Sequence, residues 1–98
     1  MIGFGGCLDI NENQYSWFWS SATDVSRLKK ECESTENCVG VEYGEWPSKG
    51  LILVDSNGSG KHTLVYDDIG SGPIESSNPS FNAMAACYAY NCQIGEFF

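Results

Sequence analysis

The segment TDVSRLKKECESTENCVGVEY, residues 23–43, decides the fold. It predicts a short amphipathic helix, then a polar turn and a strand, and it places Cys32 and Cys38 with five residues between them. The helix prediction rests on residues 21–24, SATD, which have the spacing of a capping box, and on Leu28 and Cys32, which then share one helical face. The segment therefore indicates a small binding module that is stapled by disulfides.

An aromatic strand is predicted just before this segment. Residues 15–20, YSWFWS, alternate in side-chain type with a period of two, which is typical of a strand. One face of that strand would carry Tyr15, Trp17 and Trp19. We therefore expect an aromatic row that faces something apolar.

The second half of the chain predicts a hairpin, a loop and a closing strand. Residues 51–54, LILV, and 62–66, HTLVY, flank SNGSGK, and the Asn-Gly pair at 57–58 suits a hairpin turn. Residues 70–79 are rich in Gly, Ser and Pro and predict an exposed loop. Residues 81–90, FNAMAACYAY, fit either a helix or a strand, and we favour the strand.

Length and cysteine content limit the class of protein. A chain of 98 residues normally forms one domain with a modest core, which covalent cross-links would help to stabilise. Its five cysteines are typical of a small secreted domain and favour an oxidising compartment. Because five is odd, one cysteine is expected to stay free, bind a metal or pair with another molecule. The cysteines are Cys7, Cys32, Cys38, Cys87 and Cys92.

The charge of the chain argues against two classes of partner. The formal net charge is −8 with only five Lys and Arg, whereas phosphate backbones and anionic membranes are bound by clustered cations. We therefore expect no nucleic-acid partner. The longest aliphatic run, residues 51–54, is far shorter than the roughly 18 to 20 residues that span a bilayer, so no direct membrane span is expected.

Residues 38–43, CVGVEY, together with Cys32 resemble the matching block of the PAN/apple family. The resemblance covers roughly residues 7–88. It implies an α+β fold in which one short helix packs on a twisted, disulfide-stapled antiparallel sheet, with residues 1–98 forming a single PAN/apple-like domain. The chain matches four of the six cysteine positions of the family, through Cys7, Cys32, Cys38 and Cys87.

The resemblance also implies a disulfide pattern. Cys32 would pair with Cys38, and Cys7 would join the first strand to the last through Cys87. Cys92 would then be unpaired or form an intermolecular bridge. A competing pairing of Cys7 with Cys92, with Cys87 free, remains open.

Leucines stand at the two family positions that lack a cysteine, Leu28 in the helix and Leu51 after Gly50. In the family these two positions are bridged to each other. Two buried leucines contribute about 1.5 to 3 kcal/mol each, comparable with about 2 to 4 kcal/mol for a disulfide. We therefore expect a contact between Leu28 and Leu51 in place of the missing bridge.

The candidate ligand-binding residues are aromatic, because PAN/apple domains bind proteins or glycans and flat apolar rings pack against sugars. They are Trp46, Tyr43, Trp17 and Trp19. A core role is the stronger alternative for Trp17 and Trp19, whereas Trp46 lies in a loop where an exposed indole has little structural purpose. Asn57 begins the tripeptide NGS and could be glycosylated, although the predicted turn explains it equally well.

Other patterns do not reach the standard of a site. Residues 58–62 depart twice from a phosphate-binding loop, and the cysteine spacings lack the tight pair of common zinc sites. Glu42 with Glu45, and the acidic pair at 67–68, have no ligand loop around them and predict a solvated acidic surface. We therefore expect no catalytic residue, no metal and no cofactor.

Two classes of function follow from these expectations. The first is a non-enzymatic recognition module of a secreted or lumenal protein, which binds a protein or a glycan through loops and exposed aromatic residues. The second is a small accessory subunit of a larger membrane-associated assembly on the oxidising side of a membrane, either extracellular or lumenal. The second class requires an exposed hydrophobic patch, and the first requires one face open to a ligand.

Overall fold

A computed structural model of the chain describes residues 1–45, 48–55 and 68–97. It contains one short helix and a sheet whose described pairings are all antiparallel, so the predicted α+β class is confirmed. In chain order the elements are β1 (Gly3–Phe4), β2 (Gly6–Leu8), β3 (Ser16–Ser20), α1 (Val25–Glu33), β4 (Cys38–Glu45), β5 (Ser48–Val54), β6 (Ser76–Asn78), β7 (Ala85–Asn91) and β8 (Glu96–Phe97).

The main sheet has the strand order β1-β7-β4-β5-β3, and β8 pairs with β7 beside it. The predicted strands at 15–20, 38–43 and 81–90 correspond to β3, β4 and β7. Residues 51–54 lie in β5, which pairs with β4 on one side and with β3 on the other. Because β4 and β3 occupy both edges of residues 51–54, the prediction that these residues form a hairpin with the next strand along the chain was wrong. The partner predicted at 62–66 and its turn at 57–58 lie outside the described residues.

The helix begins one residue after an acidic cap. Asp24 has an extended backbone and its carboxylate accepts a hydrogen bond from Arg27 N at 2.8 Å, so Asp24 is the N-cap and not the end of a capping box that begins at Ser21. Leu28 and Cys32 are buried against the sheet, as the amphipathic pattern predicts. The helix therefore covers one face of the sheet.

The other face is covered by a two-stranded ribbon, β2 paired with β6. Residues 70–79 were predicted to form an exposed loop, but they contain β6 and the buried side chain of Ile74. Asp9 helps to position this layer, because its carboxylate accepts hydrogen bonds from the backbone N–H groups of Asn11, Asn13 and Ser71. The prediction missed the ribbon because β6 is short and polar, and because its partners, from Leu8↔Ser76 to Gly6↔Asn78, are 68 to 72 positions apart along the chain.

The core is split into two clusters by the sheet. The helix-side cluster consists of Leu28, Cys32, Cys38, Val41, Ile52 and Val54. The ribbon-side cluster consists of Cys7, Tyr15, Leu51, Leu53, Ile74, Cys87 and Ala89. Successive residues of β5 therefore alternate between the two clusters, as strand geometry requires.

This alternation overturns the expected contact between Leu28 and Leu51. Leu51 faces the ribbon side, whereas Leu28 lies in the helix-side cluster. The residue of β5 beneath Leu28 is Gly50, where an added Cβ would lie 2.7 Å from Leu28 Cδ2. The helix therefore packs over a glycine, and the expected pairing was wrong by one residue of strand register.

Two disulfides join the layers. Cys7 in β2 is bonded to Cys87 in β7, and Cys32 in α1 is bonded to Cys38 in β4. These are the pairs that the family resemblance implied. All five cysteines lie in the described residues, and among them Cys92 is unpaired and exposed. Two disulfides are compatible with an oxidising compartment.

Candidate ligand-binding site

A cleft of about 210 Å³ opens on the ribbon side of the sheet. Strand register builds it, because Trp19 of β3 stands opposite Leu51 of β5, which stands opposite Glu42 of β4. We call it the tryptophan cleft, and it is lined by Gln14, Tyr15, Trp17, Trp19, Glu42, Leu51 and Asn82.

Two indole rings form adjacent walls of the cleft. The ring centroids of Trp17 and Trp19 are 5.2 Å apart and their planes meet at 89°. Trp17 is partly buried against the ribbon-side cluster, whereas Trp19 is 49% exposed. The core role considered for both residues therefore describes Trp17 in part and does not describe Trp19.

Glu42 provides a carboxylate at the floor of the cleft, where it is only 7% exposed. Its Oε2 accepts a hydrogen bond from Cys7 N at 3.1 Å, and its Oε1 accepts one from Asn82 Nδ2 at 2.7 Å. Burial raises the pKa of Glu42 above its usual value, although these two hydrogen bonds act in the opposite direction. The expectation that Glu42 belongs to a solvated acidic surface was wrong, because the ribbon and residue 82 cover it.

Asn82 lines the cleft, and the sequence did not indicate it as a site residue. Its φ is 48°, in the left-handed region that Asn adopts more readily than most residues. This turn directs the Asn82 amide towards Glu42, 40 positions earlier in the chain. Asn82 lies in the segment 81–90, where helix and strand patterns competed, and neither pattern predicts such a turn.

The other candidate residues lie elsewhere or outside the described part. Tyr43 follows Glu42 in β4 and therefore points to the helix side, where its hydroxyl donates to Thr23 O at 2.9 Å. Tyr43 does not line the tryptophan cleft. Trp46 and Asn57 lie outside the described residues.

Tyr43 instead borders an apolar groove on the helix side of the sheet, beyond the helix. The groove has a volume of about 420 Å³. Three of its side chains are widely exposed, Met1 at 55%, Phe4 at 66% and Met84 at 71%. The Lys29 ammonium lies 4.6 Å from the centroid of the Tyr88 ring, at the border between helix and groove. The apolar groove is lined by Met1, Phe4, Tyr43, Met84, Ala85, Ala86 and Tyr88.

The described residues limit two further kinds of site. Within residues 1–45, 48–55 and 68–97, His, Cys, Asp and Glu side chains nowhere gather in the groups of three or more that could hold a metal ion. In the same part of the chain no helix has the length and apolar character needed to cross a bilayer.

No protein-family model, curated protein or solved structure matches this chain. The PAN/apple resemblance therefore stays a prediction, and it rests on residues 7–88 alone.

Proposed function

We propose that this chain is a non-enzymatic recognition module of a secreted or lumenal protein, of PAN/apple type, and that it binds its protein or glycan ligand in the tryptophan cleft. The observation that carries this proposal is the position of Trp19. A half-exposed indole on a sheet strand, perpendicular to a second indole and above a buried carboxylate, is an arrangement suited to recognition.

The rigidity of the site supports a role in binding. Trp17, Leu51 and Glu42 stand on neighbouring strands, and the disulfide of Cys7, whose N–H donates to Glu42, fixes the layer above them. A site held on strands needs little ordering when a ligand arrives, which favours affinity. Both oxygens of the Glu42 carboxylate accept hydrogen bonds within the protein, an arrangement that suits an orienting group better than a nucleophile.

A binding screen with a matched pair of variants tests the proposal. The oxidised chain is applied to a glycan array and to a panel of extracellular proteins, alongside Trp19→Ala and Phe4→Ala. We expect at least one ligand whose affinity falls about tenfold or more in Trp19→Ala, since exposed aromatic residues dominate such sites, and stays unchanged in Phe4→Ala. Ligands that respond to Phe4→Ala alone, or no saturable binding at all, would overturn the proposal.

The apolar groove favours a second candidate, the accessory subunit of a larger assembly. Phe4 and Met84 are large exposed side chains that line the same groove, and exposed apolar surface of this kind marks protein contacts. The native mass of the protein from its source, measured with and without reductant, tests this candidate. A large assembly would support it, and dissociation on reduction would point to Cys92 as the covalent link. A single-chain mass in both conditions would rule it out.

A further inference from the structure

From the walls and the charge of the tryptophan cleft we infer that its ligand carries an organic ammonium group bearing methyl groups, as in the trimethylated lysine side chain of a protein. This inference rests on the proposed function, because it names the chemical class of the ligand in the same site. It concerns the described residues of the cleft, and above all Trp17, Trp19 and Glu42.

The aromatic walls suit a cation that is coated with methyl groups. Indole is the ring that attracts cations most strongly, through the negative potential over its face. Because the planes of Trp17 and Trp19 meet at 89°, the two rings form a corner and do not form a flat platform. Tyr15 and Leu51 also line the cleft. A rounded cation fits a corner of this kind and contacts apolar surface with its methyl groups.

The charge of the site agrees with a cationic ligand. Glu42 is buried at the floor of the cleft, and no Lys or Arg is among the described residues that line it. A buried carboxylate is costly to ionise, and a bound ammonium would offset that cost. The net charge of −8 would also raise the local concentration of cations around the protein.

The size of the cleft and its remaining polar groups fit an ammonium headgroup better than a neutral sugar. Its volume of about 210 Å³ is below the roughly 300 Å³ at which pockets for drug-sized ligands begin. A sugar requires several directional partners for its hydroxyl groups. The Asn82 amide already donates to Glu42, and each oxygen of Glu42 already accepts a hydrogen bond.

Titration of the oxidised wild-type chain with small probes tests the inference directly. The probes are choline, phosphocholine, N-acetyl-trimethyllysine methylamide and 3,3-dimethylbutan-1-ol, which is the neutral isostere of choline. Amide chemical-shift changes give both the affinity and the site. We expect at least one ammonium probe to shift residues around Trp19 and Glu42, and the neutral isostere to bind at least about tenfold more weakly. The ranking of the three cations then distinguishes a lipid-type headgroup from a modified side chain.

Two variants separate the contribution of the indole walls from that of the Glu42 carboxylate. Trp19→Leu should weaken ammonium binding by about two- to thirty-fold, the range expected for one cation–π contact. Glu42→Gln should also weaken it, but should leave it tighter than the neutral isostere because both indole walls remain. The fold should persist because a flipped Asn82 amide can accept from the new side-chain amide. Phe4→Ala, on the other side of the sheet, is the control and should bind like the wild type.

The outcomes separate this inference from the function on which it rests. If none of the three ammonium probes binds the wild type more tightly than the neutral isostere, the inference is overturned, whatever the variants do. A neutral methyl glycoside that occupies the cleft while all three cations leave it unperturbed would also overturn it, but would retain the proposed function. If neither the probes nor the ligands of the binding screen perturb the cleft, both are wrong.

Discussion

Glu42 and Asp9 are two buried carboxyl groups whose pKa values are shifted in opposite directions. Burial by itself acts to raise the pKa of each group. At Asp9 the backbone N–H donors of Asn13, Ser71 and Asn11 outweigh burial, and the pKa of Asp9 is lowered. At Glu42 the hydrogen bonds are too few to do so, and its pKa stays raised. The surroundings of Asp9 therefore favour its charged form, whereas those of Glu42 disfavour its charged form.

The raised pKa of Glu42 predicts an unusual pH dependence of stability. The native state holds the Glu42 proton more tightly than the unfolded chain, whose value is near 4.5. The favourable contribution of this proton is fully present below that pH and is lost as pH rises through the folded pKa. The wild type should therefore lose stability relative to Glu42→Gln over this window, as measured by urea unfolding at a series of pH values.

Comparison with the variant is needed because other groups titrate in the same range. Asp9, with its lowered pKa, contributes stability above pH 3.8 and loses it as pH falls through its folded pKa, which is the opposite direction. The difference between wild type and Glu42→Gln cancels this contribution. A difference that stays constant from pH 4 to pH 8 would show that Glu42 is not perturbed by burial.

The burial of Glu42 could be predicted only in part. The period of two in CVGVEY places Glu42 on one face of the strand and its neighbours Val41 and Tyr43 on the other. Whether that face is exposed to solvent depends on what packs against it. The covering groups, Cys7 and Asn82, lie 35 and 40 positions away along the chain, and no local pattern encodes their approach.

At the scale of elements, the contact between helix and sheet depends on register. Leu28 lies directly over Gly50, where the side chain of a larger residue would collide with it. Leu51, one residue further along β5, faces the other cluster. The sequence predicted α1, β3 and β4 because each has its own local periodicity, but the register between α1 and β5 is set by packing between distant segments. The family resemblance, which suggested a contact between Leu28 and Leu51, could not predict this register.

This register predicts where a new disulfide can form. An added Cβ at Gly50 would lie 3.2 Å from Leu28 Cγ, so the Cβ atoms of residues 28 and 50 are at most about 4.7 Å apart, close to the spacing of about 3.5–4.5 Å in disulfides. The double variant Leu28→Cys/Gly50→Cys should therefore cross-link, since the bulky leucine is also removed. The new bridge should stabilise the oxidised variant by about 3 kcal/mol relative to its own selectively reduced form.

The matched control is Leu28→Cys/Leu51→Cys, in which the second cysteine points to the other side of the sheet. Both variants are made with Cys92→Ser and are analysed by peptide mapping without reductant. We expect a 28–50 cross-link in the first variant and two free thiols in the second. A 28–51 cross-link without a 28–50 cross-link would contradict the register described above.

At the scale of the whole molecule, each outer layer is attached to the central sheet by one disulfide. Cys32–Cys38 attaches the helix to β4, and Cys7–Cys87 attaches the ribbon to β7. The cysteine count predicted an oxidised, stapled domain, but it did not decide between Cys87 and Cys92 as the partner of Cys7. That choice depends on β2 lying across β7, which is a property of the assembled layers.

The two disulfides should differ in how much they stabilise the protein. Cys7 and Cys87 are 80 positions apart, whereas Cys32 and Cys38 are 6 apart. Loop-closure entropy then gives about 4.5 kcal/mol for the first bridge and about 2 kcal/mol for the second. Urea unfolding of Cys7→Ala/Cys87→Ala and of Cys32→Ala/Cys38→Ala should show this difference, because all four sulfurs are buried and the lost side-chain volumes match. Equal losses would mean that local packing, not chain closure, determines the value of each bridge.

The same pair of variants distinguishes stability from function. Cys7 N donates to Glu42, so the loss of the Cys7–Cys87 bridge should loosen the floor of the tryptophan cleft. We expect Cys7→Ala/Cys87→Ala to bind its ligand about tenfold or more weakly, even where the variant stays folded. The Cys32–Cys38 bridge lies on the helix side, away from the cleft, and its loss should leave binding within about twofold of the wild type. Titration at a temperature where both variants are folded measures this directly. If both variants bind alike, the ribbon only shields the core, and the cleft is organised by the sheet strands without it.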